Sequence, residues 1–147
     1  MIRYANSPTS LSVALVVDEN WARRREISEY LRSKGFGVLE AQTSVEALLL
    51  SVEYPDPIRA LFTSLDLARY CNGTELADCL RSMRPGIAVF YLGDEEQQSE
   101  EIVQELISGK GIFLRNPVTA PRMDDAIALV EESSRALDSL PDASDWG

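Results

Sequence analysis

The sequence of 147 residues contains no histidine. That absence removes Ser-His-Asp and Cys-His nucleophilic catalysis, histidine-ligated metal centres and imidazole acid–base chemistry. Cysteine is scarce as well. Cys71 and Cys79 are the only two, they are not spaced as a metal knuckle, and reduced thiols in a cytoplasmic protein are expected. No apolar run approaches the roughly 20 residues that span a bilayer, so no membrane association is expected. Basic residues are outnumbered, 14 Lys plus Arg against 24 Asp plus Glu, and a formal net charge of −10 repels phosphate backbones and disfavours direct nucleic-acid binding. No GxGxxG or GxxxxGKS/T loop occurs, so the backbone-amide cradle for dinucleotides or nucleoside triphosphates is missing.

What is present suits one domain with a real core: 45% hydrophobic and 26% charged residues. Residues 1–10 are polar and read as a lead-in, and 138–147, rich in Asp, Ser, Pro and Ala, as a tail. Between them, over 11–137, short apolar runs at 11–17, 37–40, 58–62, 87–92 and 112–114 lack polar/apolar alternation, as expected of strands buried on both faces of a parallel sheet. Helical patterns fill the intervals. One covers 20–34, with Ile27, Tyr30 and Leu31 inward and Gly35 ending it. A second opens at Thr43 with Glu46 three residues on, a capping-box pattern, followed by Ala47, Leu48 and Val52. A third covers 74–84 with Leu76, Leu80 and Met83. A fourth covers 98–108, and a fifth 121–137 with Met123, Ile127 and Val130. The order βαβαβαβαβα predicts a doubly wound α/β fold, a flavodoxin-like five-stranded parallel sheet between two helix layers, with chemistry at the carboxyl ends of the strands near the topological switch point.

The strand ends carry Asp18, Glu19 and Asn20, then Ser64, Leu65 and Asp66, then Tyr91 to Asp94, and finally Arg115, Asn116 and Pro117. Here the chain resembles the receiver domain of two-component response regulators. Val16-Val17-Asp18-Glu19-Asn20 is similar to that family's VVDDE, and the run from Phe62 to Ala77 matches its phosphoacceptor loop without a gap. Phe90-Tyr-Leu-Gly93 resembles VTSG, and Phe113-Leu-Arg-Asn-Pro117 resembles FLPKP.

The resemblance implies a (βα)5 receiver scaffold whose chemistry has been substituted. The phosphoacceptor position is Ser64, the sensor position Tyr91, and the lysine position Asn116; only the acidic pair Asp18 and Glu19 survives, as the candidate for a weak Mg²⁺ site, with no cofactor required. A serine hydroxyl without a nearby base is a poor phosphoryl acceptor. A shifted reading takes Asp66 as the acceptor, through its likeness to the family's LDL, and then at most Mg²⁺-dependent self-phosphorylation follows. Against it, Thr63 and Ser64 would enter a buried strand without partners. Tyr91 is expected to be half-buried with its hydroxyl in water, and Asn116–Pro117 to be cis. Arg23, Arg24 and Arg25 form the one basic cluster, read either as a solvated helix face with an Arg25–Glu29 pair or as a partner face. The resemblance implies a pseudo-receiver without enzymatic activity, contacting a histidine kinase, phosphotransfer protein or effector. No effector domain follows, so output is expected through such a partner or a homodimer. A flavodoxin-like small-molecule binder is the remaining alternative, disfavoured by the missing phosphate loop.

Overall fold

The computed structural model describes residues 12–67, 71–94 and 110–138. Its elements run β1 (Val13–Val17), α1 (Trp21–Ser33), β2 (Gly37–Ala41), α2 (Ser44–Glu53), β3 (Ala60–Ser64), α3 (Gly73–Met83), β4 (Ala88–Gly93), β5 (Ile112–Arg115) and α4 (Ala120–Asp138). The expected helix over 98–108, the lead-in and the tail beyond 138 lie outside the described residues.

The helix boundaries follow from capping chemistry. The Asn20 side chain accepts from the Arg23 amide at 3.0 Å and opens α1; Gly35, at φ +93°, adopts the left-handed conformation that closes it. Thr43 Oγ1 accepts from the Glu46 amide at 3.1 Å at the start of α2. At α3 the box is reciprocal: Asn72 Oδ1 accepts from the Glu75 amide at 2.9 Å, and Glu75 Oε1 accepts from the Asn72 amide at 2.9 Å. Asn72→Ala is therefore expected to lower stability by about 1 kcal/mol, measured by urea denaturation; an unchanged midpoint would show that the cap contributes nothing.

All strand pairs are parallel and the order is β2-β1-β3-β4-β5. Every residue of β1 and β3 is buried, as central strands covered on both faces must be. Side chains alternate between two apolar layers. Val13, Leu15, Val17, Leu61, Val89 and Tyr91 face Ala47 of α2 and Leu76, Ala77 and Leu80 of α3. Ala14, Val16, Phe62, Phe90 and Leu114 face Ile27 and Leu31 of α1 and Met123, Ile127 and Val130 of α4. Phe62 and Phe90, paired across β3 and β4, stack with centroids 4.7 Å apart. Tyr30 Oη donates to Asp124 Oδ1 at 2.6 Å and ties α1 to α4.

Some expectations are corrected. The third strand runs 60–64, two residues later than 58–62. Its hydroxyls are satisfied locally: Thr63 Oγ1 donates to the Ser64 carbonyl at 3.0 Å, and Ser64 Oγ accepts from the Asp66 amide at 3.3 Å. Val52 and Met83, read as inward, are exposed. Ser51 takes the inward position on α2, where Arg84, just past α3, reaches it. The Arg84 guanidinium donates to Ser51 Oγ at 3.1 Å and to the carbonyls of Ser51, Tyr54 and Asp56 at 2.8, 2.8 and 2.9 Å.

Candidate functional site at the carboxyl ends of β1 and β3

The strand order reverses at β1 and β3, which opens a crevice at their carboxyl ends. Asp18 sits there, its amide donating to the Ala41 carbonyl at 3.1 Å and its carboxylate only 1% exposed. A carboxylate removed from water requires strong partners, and Asp18 has three donors. Oδ1 accepts from the Asn20 amide at 2.8 Å and from Arg23 Nη2 at 3.0 Å, while Oδ2 accepts from Arg23 Nε at 3.0 Å. The guanidinium thus grips both oxygens as a fork. Those hydrogen bonds hold the Arg23 side chain above its already high range; burial opposes the rise, and the charges of Asp18, Asp94 and Asp66 add to it.

Arg24 supports the same turn. Its Nη1 donates to the Asp18 carbonyl at 2.8 Å and its Nε to Glu40 Oε1 at 3.1 Å, and Arg32 Nη2 donates to Glu40 Oε2 at 3.1 Å. Arg25 pairs with Glu29 at 3.3 Å on the exposed face, as its i,i+4 spacing predicts. Arg23, Arg24 and Arg25 therefore do not form one basic patch: the first two turn inward onto acidic groups.

Extending the Val17–Thr63 register by one residue sets Asp18 beside Ser64. Ser64 is buried at the end of β3, while Leu65 and Leu67 anchor in the core and leave Asp66 exposed between them. Gly73 closes the floor, its amide donating to the Leu65 carbonyl at 3.2 Å. Glu19 is exposed. Tyr91 is fully buried, not half-buried, because its strand position points it into the α2–α3 layer beside Val89. The half-buried Asn116 donates its amide to the Gly93 carbonyl at 2.9 Å, and the Asn116–Pro117 bond is cis.

These residues do not fit a Mg²⁺ ion as they are placed. The ion takes several oxygen ligands, yet both Asp18 oxygens accept from Arg23, and no three acidic, histidine or cysteine side chains among the described residues group to hold a metal. The role of Arg23 was missed in the sequence, although a signal existed. Cations in the first turn of a helix oppose its dipole, and α1 carries Arg23 and Arg24 there with no acidic residue in the first turn, which calls for carboxylate partners outside the helix.

No protein-family model matches the chain, and no curated protein matches it significantly. Solved structures do. A response regulator receiver domain protein from Clostridium thermocellum aligns with TM-score 0.76 and 25% identity over 86% of this chain and 99% of its own. A response regulator receiver protein from Pseudomonas putida aligns with TM-score 0.69 and 26% identity over 82% and 98%. A chain described as adenylate cyclase from Rhodopirellula baltica aligns with TM-score 0.74 and 20% identity over 88% and 93%. The protein has the α/β fold of response-regulator receiver domains. No helix among the described residues is long and apolar enough to cross a membrane.

Proposed function

We propose that the protein is a signalling module of the two-component type, a cytoplasmic pseudo-receiver that acts through contacts with a histidine kinase, a phosphotransfer protein or an effector, and not through an aspartyl phosphate. The observation that carries this reading is Ser64 at the end of β3, buried beside Asp18 with its hydroxyl accepting from the Asp66 amide. Acyl-phosphate chemistry needs a carboxylate there, and a serine hydroxyl needs a base to ionise it. Asp18, its neighbour, has both oxygens committed to Arg23. Asn116 brings no cation where the family's lysine would pair with a phosphoryl group. The reading assigns no catalytic activity to the chain and routes its signal through protein contacts.

Treatment with acetyl phosphate and Mg²⁺, followed by intact-mass analysis, tests it. The protein is expected to remain unmodified. A phosphoryl adduct that maps to Asp66 and disappears in Asp66→Asn would reassign the chain as a phosphoacceptor receiver.

A further inference from the structure

The crevice contains a cation already, and it is covalently part of the chain. Asp18 is 1% exposed while Arg23 is 42% exposed, so the guanidinium covers the carboxylate from the solvent side, the direction from which an ion would approach. The fork takes both oxygens, and the Asn20 amide takes a second lone pair on Oδ1. Arg24, bonded to the Asp18 carbonyl and to Glu40, fixes the turn between the carboxylate and the helix that supplies Arg23. Asp66 after β3 and Asp94 after β4 both lie within electrostatic reach of the same guanidinium.

We propose that Arg23 is the built-in counter-ion of this crevice: its guanidinium occupies the place on Asp18 that a divalent cation would need, the strand-end loops are held without metal, and removal of Arg23 frees both Asp18 oxygens to an external divalent cation. The physical ground is competition. Arg23 is tethered five residues from its partner, so it meets Asp18 at a fixed high effective concentration that a free ion must exceed. Its charge is present at every accessible pH, so the guanidinium never releases its partner by losing a proton. A buried carboxylate stripped of its partner must either take up a proton or recruit another cation. The inference concerns the same crevice as the functional proposal but does not depend on whether any residue accepts a phosphoryl group.

The test uses the full chain in a Trp146→Phe background, so that Trp21, 64% exposed and two residues before Arg23, is the sole tryptophan reporter. Mg²⁺ is titrated against Trp21 emission, Mn²⁺ binding is followed by water-proton relaxation, and melting is compared in chelator and in excess Mg²⁺. The parent protein is expected to show no response to Mg²⁺ in emission or melting. Arg23→Ala is expected to melt lower in chelator, to recover in Mg²⁺, and to bind Mn²⁺ at least roughly tenfold more tightly than the parent. In the double variant Asp18→Asn, Arg23→Ala the metal rescue is expected to vanish. If Arg23→Ala does not fold in chelator, folding on addition of Mg²⁺ is the same result, read by the same emission. A parent protein that binds Mn²⁺ as tightly as Arg23→Ala, or an Arg23→Ala variant that gains no cation binding, would overturn the inference. Either outcome leaves the functional proposal standing, because that proposal fails on a phosphoryl adduct and not on a cation titration.

Discussion

Gly73→Ala is expected to destabilise the protein by about 3 kcal/mol, a fall of roughly 10 °C in Tm for a chain of this size. A Cβ at this position would stand 2.4 Å from the Ser64 carbonyl oxygen and 3.1 Å from Leu65 Cα. Both neighbours are backbone, so no side chain can rotate away. Either the start of α3 retreats, loosening the Gly73–Leu65 hydrogen bond and the packing of Leu76 and Leu80, or the end of β3 moves and carries Ser64 with it. Gly35→Ala is the matched control. Gly35 has a positive φ of 93° but open space around its Cβ direction, so only conformational strain of about 1 kcal/mol is expected. Urea denaturation of the two variants separates close approach from strain; equal, small shifts would show that α3 does not pack on β3 as tightly as described.

Arg84→Ala is expected to cost a similar amount, about 3 kcal/mol. The last carbonyls of a helix lack partners within it; at the end of α2 Arg84 supplies Ser51 and the capping residue Tyr54, and in the same planar fan it reaches Asp56 in the loop that follows. The positive charge also lies at the negative end of the α2 dipole. Truncation leaves half-buried carbonyls without these donors and frees α2 from α3. Lysine should recover only a part, since a point charge cannot reproduce the fan. Denaturation midpoints for Arg84→Ala and Arg84→Lys check this, and full recovery by lysine would mean that charge alone matters. Amide exchange at Tyr54, whose N–H donates to Leu50 at 2.9 Å, should accelerate in the alanine variant.

Where chemistry is local, the sequence was readable. Thr43 with Glu46 marked the start of α2, Gly35 the end of α1, and Met123, Ile127 and Val130 the inner stripe of α4, because capping and periodicity act within a few residues. The third strand was displaced in the reading because Thr63 and Ser64 look wrong for a buried strand until their neighbours' carbonyl and amide are seen to satisfy them. The acidic and polar strand ends follow from element order, so the placement of Asp18, Ser64 and Asn116 at the ends of β1, β3 and β5 was legible. Their partners could not. Whether Arg23 points to solvent, to a partner or back onto Asp18 depends on where α1 leaves the sheet, and only the unfavourable placement of cations in its first turn hinted at the answer. Arg84 offered no hint, since its acceptors lie some thirty residues earlier in the chain.

The enclosure of Tyr91 bears on how fast this edge of the sheet can breathe. Its ring is walled on one side by Gly111, where even a methyl carbon would come within 2.6 Å of Cε2, and it belongs to the apolar layer with Leu61, Val89 and Phe113. Thr63, not Ser64, is its neighbour across β3, so the ring stands on the opposite face of the sheet from the crevice side chains. A half-turn of such a ring requires the chain at Gly111 to move outward with it, a collective displacement rather than a side-chain hop. Its flip rate in NMR line shapes is therefore a clock for the opening of the β4–β5 edge.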